Sequence, residues 1–230
     1  MKGFSDRFTD FPNYILEITK EIWEGRGLST LNHYYSDNIP MRFPEGISIG
    51  NQSTINGTLS TLAEFPDREL MGEDVIWSGN DKDGFLSSHR LLTSGTHTGG
   101  GYFGPPTGKK FIIRAIADCA AINNKINDEW LIRDTAGLLL QLGLNPKQFA
   151  RDLISREGGI QDCVKPFCPA LDVVGPYKGR GNDNEWGERL SNILSRAMNK
   201  DFSVFRSEYD RAVQTEHPGS TTAHSWAETE

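Results

Sequence analysis

Lys110-Phe111-Ile112-Ile113-Arg114-Ala115-Ile116-Ala117-Asp118-Cys119-Ala120-Ala121-Ile122 runs into Asn123-Asn124 and then into Lys125-Ile126-Asn127-Asp128-Glu129-Trp130-Leu131-Ile132-Arg133-Asp134. Two apolar, β-branched runs on either side of an Asn pair read as a tight hairpin, because Asn tolerates the left-handed conformation such turns require. Upstream, residues 69–77 and 85–98 give two more extended runs around the turn Asn80-Asp81-Lys82-Asp83-Gly84. Residues 69–134 therefore read as a four-stranded antiparallel meander. Downstream, residues 135–142 read as a short helix capped by Gly143, and Asn145-Pro146 opens another that runs to about residue 155.

Helices come first in the chain. Pro12 suits a first helical turn, and Ile15, Ile18 and Ile22 recur at helical spacing before Gly25-Arg26-Gly27 ends the run. Residues 29–35 continue as a second helix. Short extended pieces at 39–43 and 46–49 follow, and then a helix over 52–65 stopped by Pro66. Helices before a meander give an α+β domain.

Composition removes several classes of function. The chain has 230 residues, with 31 Asp plus Glu against 24 Lys plus Arg, a formal net charge of −7, and no cationic cluster of the kind nucleic-acid binding needs. No apolar run is long enough for a membrane helix, and the N-terminus has no leader-like hydrophobic core. Three cysteines, Cys119, Cys163 and Cys168, suit reduced thiols in a cytoplasmic protein better than a disulfide framework. Cys163 and Cys168 have no His nearby to complete a zinc site, so no metal is expected. The Gly- and Pro-rich Gly95–Lys110 segment is no phosphate loop: Phe103 stands where Gly is needed, Lys110 where Ser or Thr is needed, and a strand follows.

A shift of 174 positions lays Phe202 on Leu28, Phe205 on Leu31, Tyr209 on Tyr35, Val213 on Ile39 and Pro218 on Pro44. Two unrelated amphipathic helices would give a similar match, so repetition and coincidence both stand. The expected organisation is a first domain over residues 8–156, a linker over 157–185, and the helical start of a possible second, incomplete copy over 186–230.

Taken together, Gly95-Thr96-His97-Thr98-Gly99, Phe103-Gly104-Pro105-Pro106-Thr107-Gly108-Lys109, Asn124-Lys125-Ile126-Asn127-Asp128-Glu129-Trp130, Asp134 and Gln141-Leu142-Gly143 resemble the SnoaL-like polyketide cyclase family, in order and spacing, over about residues 11–145. The resemblance implies the nuclear transport factor 2-like fold: a cone-shaped, curved antiparallel sheet with capping helices, a cystatin-like α+β barrel. It departs from the family at Asn123-Asn124-Lys125, where relatives usually have Asp-Gly-Lys.

The same resemblance implies acid–base chemistry without metal or cofactor, namely aldol cyclisation, isomerisation or dehydration of a small hydrophobic carbonyl compound. By position, Asp134 is the implied proton shuttle; capping the helix that follows is its structural alternative. Period-two alternation places Asp128, Trp130, Ile132 and Asp134 on one face, where an apolar setting would raise a carboxyl pKa. Asp118, sharing a face with Ile112, Arg114, Ile116 and Ala120, is a second candidate carboxyl or an ion-pair partner. His97 is either a donor to a substrate oxygen or a strut for the glycine loop. Of His89 and Arg90 only one can face inward. Trp130, Tyr34, Trp23 and Phe43 are candidate pocket walls, with core packing as the plainer role. A non-catalytic binding or assembly module of the same fold is the alternative function. Association as a homodimer, or a tandem pseudo-dimer, is expected from the fold, with no nucleic-acid or membrane partner. Asp134 in an enclosed, mostly apolar pocket would favour the enzyme reading, which should be dropped if Asp134 is tied to backbone amides outside any cavity.

Overall fold

The structure is a computed structural model and describes residues 1–176 and 184–230. The described chain forms two compact units, one from Met1 to Pro176 and one over the described residues up to Glu230.

In the first unit, α1 (Phe11–Thr19) starts at Asp10, whose carboxylate accepts from the Asn13 amide at 2.8 Å. It loosens into a π-helical turn over Lys20–Glu24. A short 3-10 turn, Leu28–Thr30, leads into α2 (Leu31–Tyr34). The hairpin β1 (Pro40–Phe43) and β2 (Gly46–Ile49) follows, then α3 (Asn51–Glu64). The meander is β3 (Glu69–Asn80), β4 (Gly84–Thr96), β5 (Lys110–Ile122) and β6 (Lys125–Arg133). Helices α4 (Thr135–Gln141) and α5 (Pro146–Arg156) close the unit.

The six strands form one sheet in the order β2-β1-β6-β5-β4-β3. All neighbours are antiparallel except β1 and β6, which run parallel, so the sheet is mixed rather than wholly antiparallel. With the helices on one face, this is the expected cone-shaped α+β architecture. Phe11, Tyr14, Ile15, Ile18 and Ile22 of the first helix bury against Phe85, Leu91, Ala115, Ala117, Cys119 and Ile126 of the sheet. A second cluster joins Phe65, Phe111 and Ile113 to Leu138 and Leu142 of α4.

The unit is larger than residues 8–156. Phe4 belongs to the main core, and residues of the expected linker dock on the sheet. Phe167 packs edge-on against Trp130 at 4.9 Å and donates its amide to Pro44 O. Arg42, 1% exposed, pairs with buried Asp128 and with Asp172, and its guanidinium lies 5.1 Å from the Trp130 ring. The glycine-rich remainder of the linker, Gly179-Arg180-Gly181-Asn182, lies outside the described residues.

The second unit contains α6 (Glu185–Met198), α7 (Ser203–Glu208), the hairpin β7 (Thr215–His217) and β8 (Thr221–Ala223), and the short α8 (Trp226–Thr229). Shifted back by 174, these fall on residues 11–24, 29–34, 41–43, 47–49 and 52–55 of the first unit. Left-handed Lys200 falls on left-handed Arg26. The apolar stripe of α6, with Trp186, Leu190 and Met198 exposed, is one residue out of phase with Phe11, Ile15 and Trp23. No described helix is long and apolar enough to cross a membrane.

Candidate functional site

Three cross-strand rows map the face of the meander that lies under the helices. They are Glu129–Cys119–Ser87–Trp77, Leu131–Ala117–His89–Val75, and Arg133–Ala115–Leu91–Gly72, each read from β6 to β3. Small side chains, Ala115, Ala117 and Cys119, floor this face along β5. Helix α1 sits close over the β3 side: a Cβ on Gly72 would meet Leu16 Cδ2 at 2.6 Å and His89 Nε2 at 2.8 Å. Toward the β6 side the cover thins. Trp23, Leu28, Phe43, Ile55, Leu70 and Leu131 are only partly buried against the core, and Arg133 is exposed.

On the inner face, among the core side chains, Glu129 is 4% exposed. Its Oε2 accepts from the Tyr35 hydroxyl at 2.8 Å and lies 3.8 Å from Cys119 Sγ. No cation pairs with it among the described residues. Burial pushes its carboxyl up to about 7, with only partial relief from the Tyr35 hydrogen bond and the charge of Arg133. Burial also raises Tyr35 and Cys119 well above their ordinary values, so both stay protonated near neutral pH. His89, in the next row, is 2% exposed, and its Nε2 has no hydrogen-bond partner among the described residues. Desolvation holds its pKa down at about 4, so the imidazole is neutral.

Several expected site residues lie elsewhere. Asp134 is the N-cap of α4: its Oδ1 accepts from the Gly137 amide at 2.8 Å, at the end of β6 and away from the concave face. Asp118 and Trp130 are register partners on the opposite, convex face of the sheet. There Trp130 is covered by Phe167 and Arg42. Asp118 faces outward by the alternation of β5 itself, whereas Trp130 and Asp134 do so because a β-bulge in β6 changes the register between Ala121–Ile126 and Ala120–Asp128 and turns Glu129, Leu131 and Arg133 inward instead.

The choice between His89 and Arg90 resolves to His89; Arg90 is exposed on the convex face, 3.2 Å from Glu73. His97 is fully buried, accepts from the Thr107 amide at 3.3 Å, and lies 3.8 Å from Glu64. Glu64 in turn accepts from the Tyr102 and Phe103 amides at 2.7 and 3.0 Å, so His97 and Glu64 pin the glycine loop. Gly99 makes that packing possible, since a Cβ there would stand 1.9 Å from Ala63 O. Tyr34 is also structural: its hydroxyl accepts from Arg7 at 2.6 Å and donates to Glu21 at 3.1 Å, outside the concavity. Trp23, edge-on to Tyr35 at 6.1 Å, and Phe43 do border it. Glu129, Tyr35 and Arg133 were not among the expected site residues. The signal for them is the uninterrupted apolar parity Phe111, Ile113, Ala115, Ala117, Cys119, Ala121 on the partner strand, which marks the inner face.

Residues 13–142 match the model of a known family, described as SnoaL-like polyketide cyclase. Among solved structures, IdmH from Streptomyces antibioticus is 23% identical, with 55% of this chain and 94% of that chain covered and a TM-score of 0.47. TsrD from Streptomyces laurentii is 20% identical over 57% of this chain and 93% of that chain, with a TM-score of 0.48. A SnoaL-like polyketide cyclase from Agrobacterium tumefaciens is 18% identical over 57% of this chain and 96% of that chain, with a TM-score of 0.47. No curated protein matches the sequence.

Proposed function

This chain belongs to the SnoaL-like polyketide cyclase family, and from that premise we propose that it is a cofactor-independent acid–base enzyme acting on a hydrophobic carbonyl compound held on the concave face. The observation that carries the reading is Glu129, a buried carboxyl without a cation among the described residues, poised near neutral pH beside the apolar floor of Ala115, Ala117 and Cys119. A general base works best when its pKa lies near the working pH. In the proposed step the Glu129 carboxylate takes a proton from the carbon next to the substrate carbonyl, leaving an enolate. The enolate attacks a second carbonyl or reprotonates elsewhere, and the Glu129 carboxylic acid returns the proton to the resulting oxygen or carbon. Aldol closure and isomerisation both follow from this one cycle. Tyr35 donates to the carboxylate and holds its orientation.

Asp134 has no part in this step. Its role as a helix cap favours the competing reading, a binding module without catalysis. The two are separated by deuterium exchange at the α-carbon of 1-tetralone in D2O, followed by proton NMR. The enzyme reading expects exchange above background that Glu129→Gln lowers by about a hundredfold or more, the usual contribution of a positioned base. Exchange in Glu129→Gln equal to that of the parent chain rejects Glu129 as the base, and no exchange above background in the parent chain favours the binding module.

The 174-residue correspondence of elements supports a separate proposal, that residues 186–230 are the helical opening of a second copy of the domain. A chimera carrying residues 185–223 in place of 11–49 is expected to fold cooperatively; a chain with no cooperative transition argues against equivalence.

A further inference from the structure

The concave face carries charge that no protein group answers. Arg133, the last inward position of β6, shares its cross-strand row with Ala115, Leu91 and Gly72, and its nearest neighbour in that row is the small Ala115. Arg68 precedes β3 with the same inward parity as Leu70 and Gly72, and approaches from the other edge of the sheet. Neither guanidinium makes a hydrogen bond or ion pair among the described residues. Arg26 differs, because its guanidinium is occupied by Pro66 O at 2.7 Å and Arg68 O at 3.5 Å, which fixes the segment that presents Arg68.

We propose that Arg133 and Arg68 together bind the carboxylate of the substrate, so that the ligand of the concave face is a hydrophobic carbonyl compound that is also an organic acid. Two planar, permanently charged forks suit a carboxylate better than any neutral oxygen. Arg133 is exposed and Arg68 half-buried, so an anion can reach both, and the two cations are near enough to repel one another until one arrives. Desolvation, with the charges of Arg133 and Arg26 beside it, lowers Arg68 to about 10. The acids whose charge reaches Arg133 are Glu45 and Glu129, and neither forms an ion pair with it. Four residues along β6 separate Arg133 from Glu129, roughly 13 Å at the strand rise of about 3.3 Å per residue. The acid group of the ligand is then held at the open end, while the reacting carbon lies deeper.

This inference rests on the concave face being the binding site, but not on Glu129 moving a proton. Calorimetric titration of the full chain with 2-naphthoate and with uncharged 2-naphthamide, at about pH 7.5, tests it. The carboxylate is expected to bind at least about tenfold more tightly, and the preference to fall with added salt. Arg68→Gln and Arg133→Gln should each reduce the preference and the double variant should abolish it, whereas Arg133→Lys, keeping charge without the fork, should retain part. Glu129→Gln should keep the preference while losing tetralone exchange, which separates this proposal from the catalytic one. Equal affinity for the two compounds, no binding of either at millimolar concentration, or a preference that survives the double variant overturns it. The comparison of the two ligands on the parent chain stands even where a variant fails to fold.

Discussion

Replacing Glu129 by Gln tests the electrostatics of the concave face without any substrate. In the folded chain the carboxyl is raised from 4.5 to about 7 by burial. The unfolded chain therefore releases its proton at lower pH than the folded one. Between the two values the folded state binds more protons, so stability falls as pH rises from about 4.5 to about 7 and is constant above. The loss at about pH 8 amounts to roughly 3 kcal/mol. Glutamine imitates the neutral carboxyl in shape and still accepts from the Tyr35 hydroxyl, so it removes the ionisation and little else. Urea unfolding of both chains between about pH 4 and 8, followed by circular dichroism, should show Glu129→Gln gaining up to about 3 kcal/mol on the parent chain as pH rises. Other titrating groups cancel in the difference. A difference that does not change with pH, or that changes in the opposite sense, would refute the assignment of Glu129 as a carboxyl kept neutral by burial.

His89 gives the mirror image. Its pKa is lowered from 6.5 to about 4, so stability is lost as pH falls from about 6.5 toward 4, by roughly 3 kcal/mol; His89→Gln should flatten that limb in acid denaturation, and an unchanged acid limb contradicts it. Asp134→Ala should cost about 1 kcal/mol as a lost N-cap and leave tetralone exchange within about twofold; a collapse of exchange with the fold intact would return Asp134 to the reaction. Arg42→Met should destabilise by about 3–5 kcal/mol, because it removes the cation paired with buried Asp128, and a cost under about 1 kcal/mol in urea unfolding would show that the pair contributes little. If the expected homodimer forms through the convex face, where Ile112, Ile116 and Ile132 are exposed, Ile116→Arg should turn a dimer into a monomer in sedimentation; a monomeric parent chain removes that expectation.

Much of the fold was legible because its signals are local. Asp10, Asn145 and Asn184 cap helices by accepting from amides three residues on, as their residue types suggest. Asn123 and Asn124 both adopt positive φ, as a two-residue hairpin turn demands. What was not legible depends on distant contacts. The parallel pairing of β1 with β6 joins residues nearly ninety apart in sequence, and neither strand carries a mark of its partner. The docking of residues 167–173 is equally silent in composition, since it rests on Arg42 finding Asp172 across 130 positions.

The facing of Trp130 and Asp134 on β6 differs from the sequence reading for a single physical reason. A two-residue turn at Asn123-Asn124 with unbroken alternation would pair Cys119 with Asp128 and Ala117 with Trp130, and would set Trp130, Ile132 and Asp134 on the inner face with the alanines. The pairing begins in that register, with Ala121 opposite Ile126. It then gains one residue at the bulge, where Asn127 is the extra residue and its side-chain oxygen lies buried without a partner among the described residues. One inserted residue exchanges the two faces of everything that follows it. Glu129 and Arg133 thereby come to face the floor of Ala115, Ala117 and Cys119, and Asp128 turns outward to meet Arg42. The buried ion pair on one face and the poised carboxyl on the other are thus consequences of the same bulge. Deleting Asn127 would let the ladder run unbroken from Ala121–Ile126 to Ala120–Asp128 and Cys119–Glu129, so Glu129 should stay on the inner face and Asp128 on the outer; it is the presence of the extra residue, accommodated as a bulge rather than as continued alternation, that sets both.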